Sequence, residues 1–276
     1  MLMSTQANRY ANQLIDSLAH TQMISPLSSN ASLTLDDSYD IAKRILDIRT
    51  AQGEIRMGRK IGFTNRALWS RLGGGEAIAK PFWAPLFDTT VRFAEGNRGV
   101  QSLDGALQPR IEPEVVFKLD KTPAPDATLE ELSDCIEWMA HAFEIVVCPF
   151  PDWKFDAEDA VAAFGLHGSL IIGEPHVLAS PTRRHLANML ASASASLSRD
   201  GVLIAAGFGS DFADSPVHAL WHLNRVLSEQ PQFPPLSAGE IITTGTWTDA
   251  YPITPGQTWV SAFSGISLPG LTVSFV

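Results

Sequence analysis

Arg110-Ile111-Glu112-Pro113-Glu114-Val115-Val116-Phe117-Lys118-Leu119-Asp120 is the segment from which the architecture can be built. Taken with period two, Ile111, Pro113, Val115, Phe117 and Leu119 form one wholly apolar face. Arg110, Glu112, Glu114, Val116 and Lys118 form the other. That alternation is a strand with one face on a core. Same-face residues two apart on a strand sit ~7 Å from each other, so Glu112 and Glu114 stand side by side. Carboxylates that close repel unless a cation lies between them. Two readings stay open: a solvated strand face, or ligands for a hard divalent ion.

The rest of the chain sets limits. It has 276 residues, of which 45% are hydrophobic and 18% charged. That length fits one large domain or two coupled ones, and the composition supports a large core and argues against disorder. The net charge of −10 argues against nucleic acid or an anionic membrane surface as partner. An anionic small substrate is compatible where a local cation masks the field. Cys135 and Cys148 are the two cysteines, and neither lies in a CxxC, so no disulfide framework is expected. The N-terminal Met-Leu-Met-Ser-Thr-Gln lacks the basic and apolar regions of a signal peptide. No run approaches the ~18 apolar residues that a membrane span needs. The expectation is a cytoplasmic protein.

Outward from the opening segment, Ser4 or Thr5 is placed to cap a first helix with Tyr10, Leu14 and Leu18 on one face. Thr34 and Asp37 form a capping-box pair for a second helix, with Ile41, Ile45, Leu46 and Ile48 as its stripe and Gly53 at its end. Arg59 to Thr64 reads as a short strand, Gly73-Gly74-Gly75 as a hinge and Pro81 to Phe87 as a Pro- and aromatic-rich loop. The domain boundary is expected near residue 75, with a helical cap over 1–75 and a β-rich domain over 76–276. Thr128 and Glu131 form another capping box, for a helix through Met139, followed by a buried strand over His141–Val147. Ala191 to Ser198 and Val202 to Ala206 read as a hairpin across Asp200-Gly201. Ser215-Pro216 opens a helix with Leu220, Leu223 and Leu227 inward. Glu240–Thr244, Thr258–Phe263 and Leu271–Phe275 are strand-like. The class is α+β with a curled, barrel-like sheet.

Glu144 lies among Phe143, Ile145, Val146 and Val147. A carboxylate in such a run is costly to bury unless it is paired or binds metal. Three carboxylates from two strands make an oxygen-only site suited to Mg²⁺ or Mn²⁺ rather than Zn²⁺. His218 and His222 have helical spacing but flank Ala219-Leu220-Trp221, so they are no HExxH zinc motif. Gly207-Phe208-Gly209-Ser210 is no dinucleotide loop, and no GxSxG elbow occurs.

Five segments together resemble the fumarylacetoacetate hydrolase family, in its branch of 2-oxopent-4-enoate hydratases and 4-oxalocrotonate decarboxylases. They are Arg59-Lys60-Ile61-Gly62-Phe63-Thr64-Asn65, Pro85-Leu86-Phe87-Asp88, Pro109-Arg110-Ile111-Glu112-Pro113-Glu114, Ala142-Phe143-Glu144-Ile145-Val146 and Leu236 to Gly256. The resemblance runs through most of the chain. It implies a mixed β-sandwich roll behind a smaller N-terminal helical cap. It also implies Mg²⁺ or Mn²⁺ on Glu112, Glu114 and Glu144, a catalytic or substrate-orienting Lys60, and a catalytic Asp88 close to the substrate that helps proton transfer. Phe87 and Thr246 become substrate contacts. A small 2-oxo carboxylic acid is the implied ligand. Homo-oligomeric assembly, and a complex with a partner enzyme of the same pathway, are further expectations.

The departures lie beyond the acidic residues. The hydratases follow the third ligand with Asp-Ser-Arg, where this chain has Val147-Cys148-Pro149. Their polar Ala-Asp-Asn-Ala-Ser-Ser-Gly loop matches Ala162-Ala163-Phe164-Gly165-Leu166-His167-Gly168. His167 is therefore either a candidate acid/base or anion-binding group, or a packed loop histidine. The resemblance implies, first, hydration of a 2-hydroxy-2,4-dienoate to a 4-hydroxy-2-oxo acid in aromatic-compound degradation. Decarboxylation of an oxalocrotonate-like acid, acylpyruvate-type C–C hydrolysis and a non-catalytic complex subunit are the alternatives.

Overall fold

The computed structural model describes residues 4–29, 32–64, 81–211 and 214–276. Two helices open it, α1 (Ser4–Ala19) and α2 (Leu35–Ala51). Thr34 accepts the Asp37 N–H on its hydroxyl, and the Asp37 carboxylate accepts the Thr34 N–H in return, as the capping box requires. Tyr10 and Leu14 of α1 and Ile41, Ile45 and Leu46 of α2 face one core. Leu18, expected on the same stripe, is 37% exposed at the helix end.

The strands are β1 (Arg56–Gly62), β2 (Phe82–Phe87), β3 (Val91–Phe93), β4 (Arg98–Gln101), β5 (Arg110–Leu119), β6 (Ile136–Val146), β7 (His167–Ile172), β8 (His176–Val177), β9 (Ser194–Arg199), β10 (Val202–Phe208), β11 (Ile241–Thr243), β12 (Tyr251–Pro252), β13 (Thr258–Ser264) and β14 (Leu271–Phe275). Among the described residues they form a nine-stranded sheet, ordered β2-β1-β11-β5-β6-β7-β3 with β12 on β5 and β8 on β6, and a five-stranded sheet, β10-β9-β13-β14-β4. The large sheet is mixed: β1–β11 and β3–β7 are parallel, while β5–β6 and β6–β7 are antiparallel.

The large sheet is curled. Leu86 of β2 and Val91 of β3, from opposite ends of the strand order, pack in one cluster with Val116, Ala140, Ala142, Leu170 and Ile172. On the convex side, Ile111, Phe143 and Ile145 pack on Leu197, Trp259, Leu271 and Phe275 of the small sheet. Further along that side, Val115 and Phe117 share a core with Leu220, Leu223 and Leu227 of the helix Pro216–Ser228. This is an α+β sandwich roll with a helical cap, and no helix among the described residues is long and apolar enough to cross a membrane.

The expected period-two strand is β5, and its Pro113 has a structural meaning. β12 pairs with β5 at Arg110 and Ile111, and β11 pairs at Val116 to Lys118. Pro113 falls in the gap between them, where a residue without an N–H removes no ladder bond. The Trp247 N–H donates to the Pro113 carbonyl across that gap. The hairpin forms, with Asp200 and Gly201 at positive φ of 50° and 80°, but its first arm starts at Ser194, because Ala191 ends the helix Leu186–Ala191.

Two expectations are corrected. Pro81 to Phe87 is not a loop: Phe82–Phe87 is a fully buried strand at the end of the sheet order. Pro85 is tolerated there because an edge strand has one side free of ladder bonds. The helix expected through Met139 stops at Asp134, and β6 starts at Ile136. Pairing with β5 from Leu119↔Ile136 to Arg110↔Val146 outweighs the local helical signal. The Gly73–Gly75 hinge lies outside the described residues. β1, N-terminal to it, is a strand of the large sheet.

Candidate active site

The β5–β6 register sets Glu112 directly opposite Glu144, with Glu114 next along the same face. One carboxylate oxygen from each of the three lies within 4.8 Å of the others. Glu114 and Glu144 are fully buried. Glu112 is half-buried and forms part of the wall of a cavity of about 460 Å³.

The surroundings fix each carboxylate. Glu114 Oε2 accepts the N–H groups of Thr244 at 3.1 Å and Gly245 at 3.0 Å. Gly245 has φ +97°, and a Cβ there would lie 1.9 Å from Thr64 Oγ1, so this close approach needs glycine. Glu144 Oε1 accepts from His167 Nδ1 at 2.7 Å. Glu144 Oε2 lies 3.2 Å from Lys60 Nζ, an ion pair whose angles fall outside those of a hydrogen bond. Lys60 Nζ donates instead to the Gly165 carbonyl at 2.9 Å. Glu114 Oε1 is buried and, among the described residues, has no hydrogen-bond partner.

The cluster is electrically unbalanced. Burial drives the Glu112 carboxyl up to about 7, with Lys60 opposing and Glu144 adding to the rise. Burial and the two neighbouring carboxylates push Glu114 well above the ordinary range. Burial also pushes Glu144 upward, but Lys60 and His167 together outweigh it and hold this carboxyl below its usual value. Burial works against the Lys60 charge too, yet the three carboxylates raise its affinity for the proton. Burial holds His167 below its usual value despite Glu144. With all three carboxylates ionised, one ammonium would leave two negative charges, which one divalent cation matches. Oxygen donors alone, two of their atoms lacking hydrogen bonds, suit Mg²⁺ or Mn²⁺.

Lys60, Glu112 and Thr246 line the 460 Å³ cavity, with Thr246 Oγ1 donating to the Thr248 carbonyl at 2.9 Å. His167 stands behind Glu144 on the wall of a second cavity of about 450 Å³, its Nε2 3.0 Å from Thr90 Oγ1. It touches a carboxylate of the cluster rather than the first cavity. Asp88 departs from expectation: it is exposed at the end of β2, and its Oδ1 accepts the Ile55 N–H at 3.0 Å. Neither cavity includes it. Phe87 is fully buried behind the wall, stacked on Phe164 at 5.8 Å beneath the Arg49 guanidinium.

The altered loop turns out to be the partition between the two cavities. Phe164 and His167 face one, and Gly165 and Leu166 face the other. Phe164, Gly165 and Leu166 have φ of 59°, 64° and 59°. Left-handed backbone at phenylalanine and leucine is strained and persists only where its surroundings enforce it. The Lys60 bond to Gly165 O and the Val147 N–H bond to Leu166 O are such restraints. Sequence reading missed Gly165 as the acceptor for Lys60, and missed Arg110, which lines the first cavity. Arg110 was signalled by its place two residues before Glu112 on the same face; Gly165 had no local signal.

No protein-family model matches the chain. It is 29% identical over 256 residues to the 2-hydroxyhexa-2,4-dienoate hydratase of Comamonas testosteroni, spanning 92% of each protein. It is 26% identical over 249 residues to a 4-oxalocrotonate decarboxylase of a Pseudomonas species, spanning 90% of this chain and 91% of that protein. The solved 4-oxalocrotonate decarboxylase from Pseudomonas putida G7, complexed with magnesium and adipate, superposes with a TM-score of 0.87 at 21% identity, over 100% of this chain and 99% of that one. A fumarylacetoacetate hydrolase family protein from Yersinia pestis CO92 superposes with a TM-score of 0.54 at 18% identity, over 80% of this chain and 93% of that one. These two likenesses establish the fold. The sequence relationships show that the chain is similar to dienoate hydratases and to an oxalocrotonate decarboxylase over most of its length.

Proposed function

We propose that this protein is a divalent-metal-dependent hydratase that converts a 2-hydroxy-2,4-dienoate into a 4-hydroxy-2-oxo acid during the degradation of aromatic compounds. The observation that carries the reading is the cluster of half-buried Glu112 with buried Glu114 and Glu144 beside Lys60, at the wall of an apolar-sided cavity. The dienoate hydratase relative supports the reaction class. Glu112, Glu114 and Glu144 would hold Mg²⁺ or Mn²⁺. A hard divalent cation there supplies Lewis acidity to the adjacent carboxylate and oxo oxygens of a 2-oxo acid.

The chain's own residues prepare that chemistry. The Thr244 and Gly245 N–H groups hold Glu114, and His167 holds Glu144, so both carboxylates are oriented before any ligand arrives. The Lys60 ammonium, fixed by Gly165 O, sits where negative charge develops on the substrate oxygens. In hydration the dienol loses its 2-hydroxyl proton and gains one at C5, giving a conjugated enone. Water then adds with its oxygen at C4 and its proton at C3. Thr246 would contact the substrate from the cavity wall. The reading places the enzyme in the cytoplasm as a homo-oligomer, alone or with a partner enzyme of the same pathway; light scattering measures the assembly.

Decarboxylation is the second reading, favoured by the 26% identity to a decarboxylase over most of both chains. Both are tested by adding enzyme and Mg²⁺ to a 2-hydroxydienoate and an oxalocrotonate, and following ultraviolet absorbance and CO₂ together. Hydration predicts loss of dienoate absorbance without CO₂. Release of CO₂ selects decarboxylation, C–C cleavage of an acylpyruvate selects hydrolysis, and metal binding with no turnover selects a binding subunit.

A further inference from the structure

We infer that Thr90 is a positioning residue for the acidic cluster: its hydroxyl holds the His167 ring, and the ring holds Glu144 in the orientation that a metal ion needs. The inference rests on the proposed placement of a divalent ion at Glu112, Glu114 and Glu144.

The resemblance brings the turn after β2 to the site through Asp88, but Asp88 is exposed and bonds to Ile55. The same turn reaches the cluster two residues later, by an indirect path. Thr90 Oγ1 lies 3.0 Å from His167 Nε2, and His167 Nδ1 donates to Glu144 Oε1 at 2.7 Å. A hydroxyl can donate or accept, so its contact with Nε2 holds whether or not the ring carries a charge. Thr90 Oγ1 is also 3.1 Å from the Phe87 carbonyl. That oxygen already accepts the Thr90 N–H at 3.0 Å, so it does not depend on the hydroxyl.

The contacts close into a loop. The Thr90 carbonyl accepts the Leu170 N–H at 2.8 Å, and Leu170 stands opposite Glu144 in the β6–β7 ladder. Backbone pairing thus fixes both ends of the side-chain path from Thr90 through His167 to Glu144. It leaves the imidazole free to rotate, since the last torsion of a histidine has a broad, two-fold profile. A ring tied at Nδ1 alone can turn away from Glu144. Tied at both nitrogens, it must break two bonds to do so. Threonine suits the task, because its branched Cβ restricts χ1 and keeps the hydroxyl aimed. The side chains of His167 and Glu144 are fully buried, so water is not in place to substitute for a lost partner. Thr90 lines the second cavity and not the first. Its hydroxyl therefore acts on the cluster through the ring, as outer partners that orient metal ligands do.

Calorimetry of Mn²⁺ binding to the full chain tests this. Thr90→Val keeps the branched shape and deletes the hydroxyl. Affinity for Mn²⁺ should fall roughly tenfold, the lower end of the range for outer partners of metal ligands. Thr90→Ser restores the hydroxyl and should bring the affinity back to within about threefold of the unaltered protein. His167→Asn puts an amide where Nδ1 stood but ends short of Thr90, so it should lose at least as much as Thr90→Val. The double variant should then bind no more weakly than His167→Asn alone, because residues acting through one contact are not additive. A purely structural role would lower the melting temperature without producing this pattern. Unchanged affinity in Thr90→Val overturns the inference, as does an equal loss in Thr90→Ser, or losses that add in the double variant. Each of these leaves the metal site standing. Should Thr90→Val fail to melt cooperatively, Thr90→Ala takes its place in the cycle. Failure of the unaltered protein to bind Mn²⁺ removes the metal site, and the inference with it.

Discussion

β6 carries two buried ionisable residues on opposite faces, three positions apart, and their fates differ. Glu144 points into the concave side of the curled sheet, against Lys60 and His167. His141 points to the convex side, between the rings of Phe143 and Phe263 at 5.6 and 4.7 Å. Its Nδ1 reaches the Pro269 carbonyl at 3.2 Å, and its Nε2 has no hydrogen-bond partner among the described residues. Burial penalises the charged form of both. Glu144 is nevertheless held below its usual value, because Lys60 and His167 together outweigh burial. His141 is driven down to about 4 by burial, with the Pro269 carbonyl opposing weakly. One strand therefore shows that partners, rather than depth, separate a site residue from a core residue.

The largest effect should come from removing a carboxylate on the concave face. Glu114→Gln keeps an acceptor for the Thr244 and Gly245 N–H groups but deletes the charge. Mn²⁺ affinity, measured by calorimetry, should fall by more than the roughly 10–100-fold typical of outer-shell partners. The metal-free protein should be no less stable, since burial already disfavours the Glu114 charge. Unchanged metal affinity would remove Glu114 from the site.

The convex face gives the next effect, and its sign is fixed. The folded His141 titrates near 4 and the unfolded one near its ordinary 6.5. As pH falls through that window the unfolded chain takes up the proton first, so stability declines. The contribution is fully present above about 6.5 and is lost by about 4, amounting to about 3 kcal/mol. Urea unfolding across this range should show that decline in the unaltered protein and a flatter profile in His141→Leu. Parallel profiles would mean that His141 has a partner that keeps its charge, and the contrast with Glu144 would fail.

How much of this was legible depends on the range of the interactions involved. The β5 alternation, both capping boxes and the hairpin are local, and period and turn chemistry expose them. The cluster was legible because Glu112, Glu114 and Glu144 are carboxylates in strand-like, apolar settings, where burial demands a partner. The resemblance supplied the order of segments that joins them. β6 was read partly as helix, because its first residues follow a genuine cap and only the long pairing with β5 overrules it. Asp88 and Phe87 were placed at the substrate by resemblance alone. In the fold Asp88 turns outward to Ile55, and Phe87 turns inward to Phe164. The left-handed turn at Phe164 to Leu166 had no sequence signal, because neither phenylalanine nor leucine favours positive φ.

That turn offers the smallest and most discriminating change. Gly165 has φ +64°, and an added Cβ would meet Ala84 Cβ at 3.0 Å, Lys60 Cδ at 3.2 Å and Phe82 Cε2 at 3.3 Å. The left-handed conformation alone should make Gly165→Ala about 1–2 kcal/mol less stable, which thermal melting would register as a drop of several degrees. Of the three contacts, the lysine chain is the one free to move. Its displacement would separate the ammonium from Glu144 while leaving all three carboxylates in place. Mn²⁺ affinity should then hold within a few-fold while turnover of the dienoate falls. If metal affinity instead drops as far as in Glu114→Gln, the partition at 163–168 supports the carboxylates themselves. Glu144 would then owe its position to the wall around it as much as to the charge beside it.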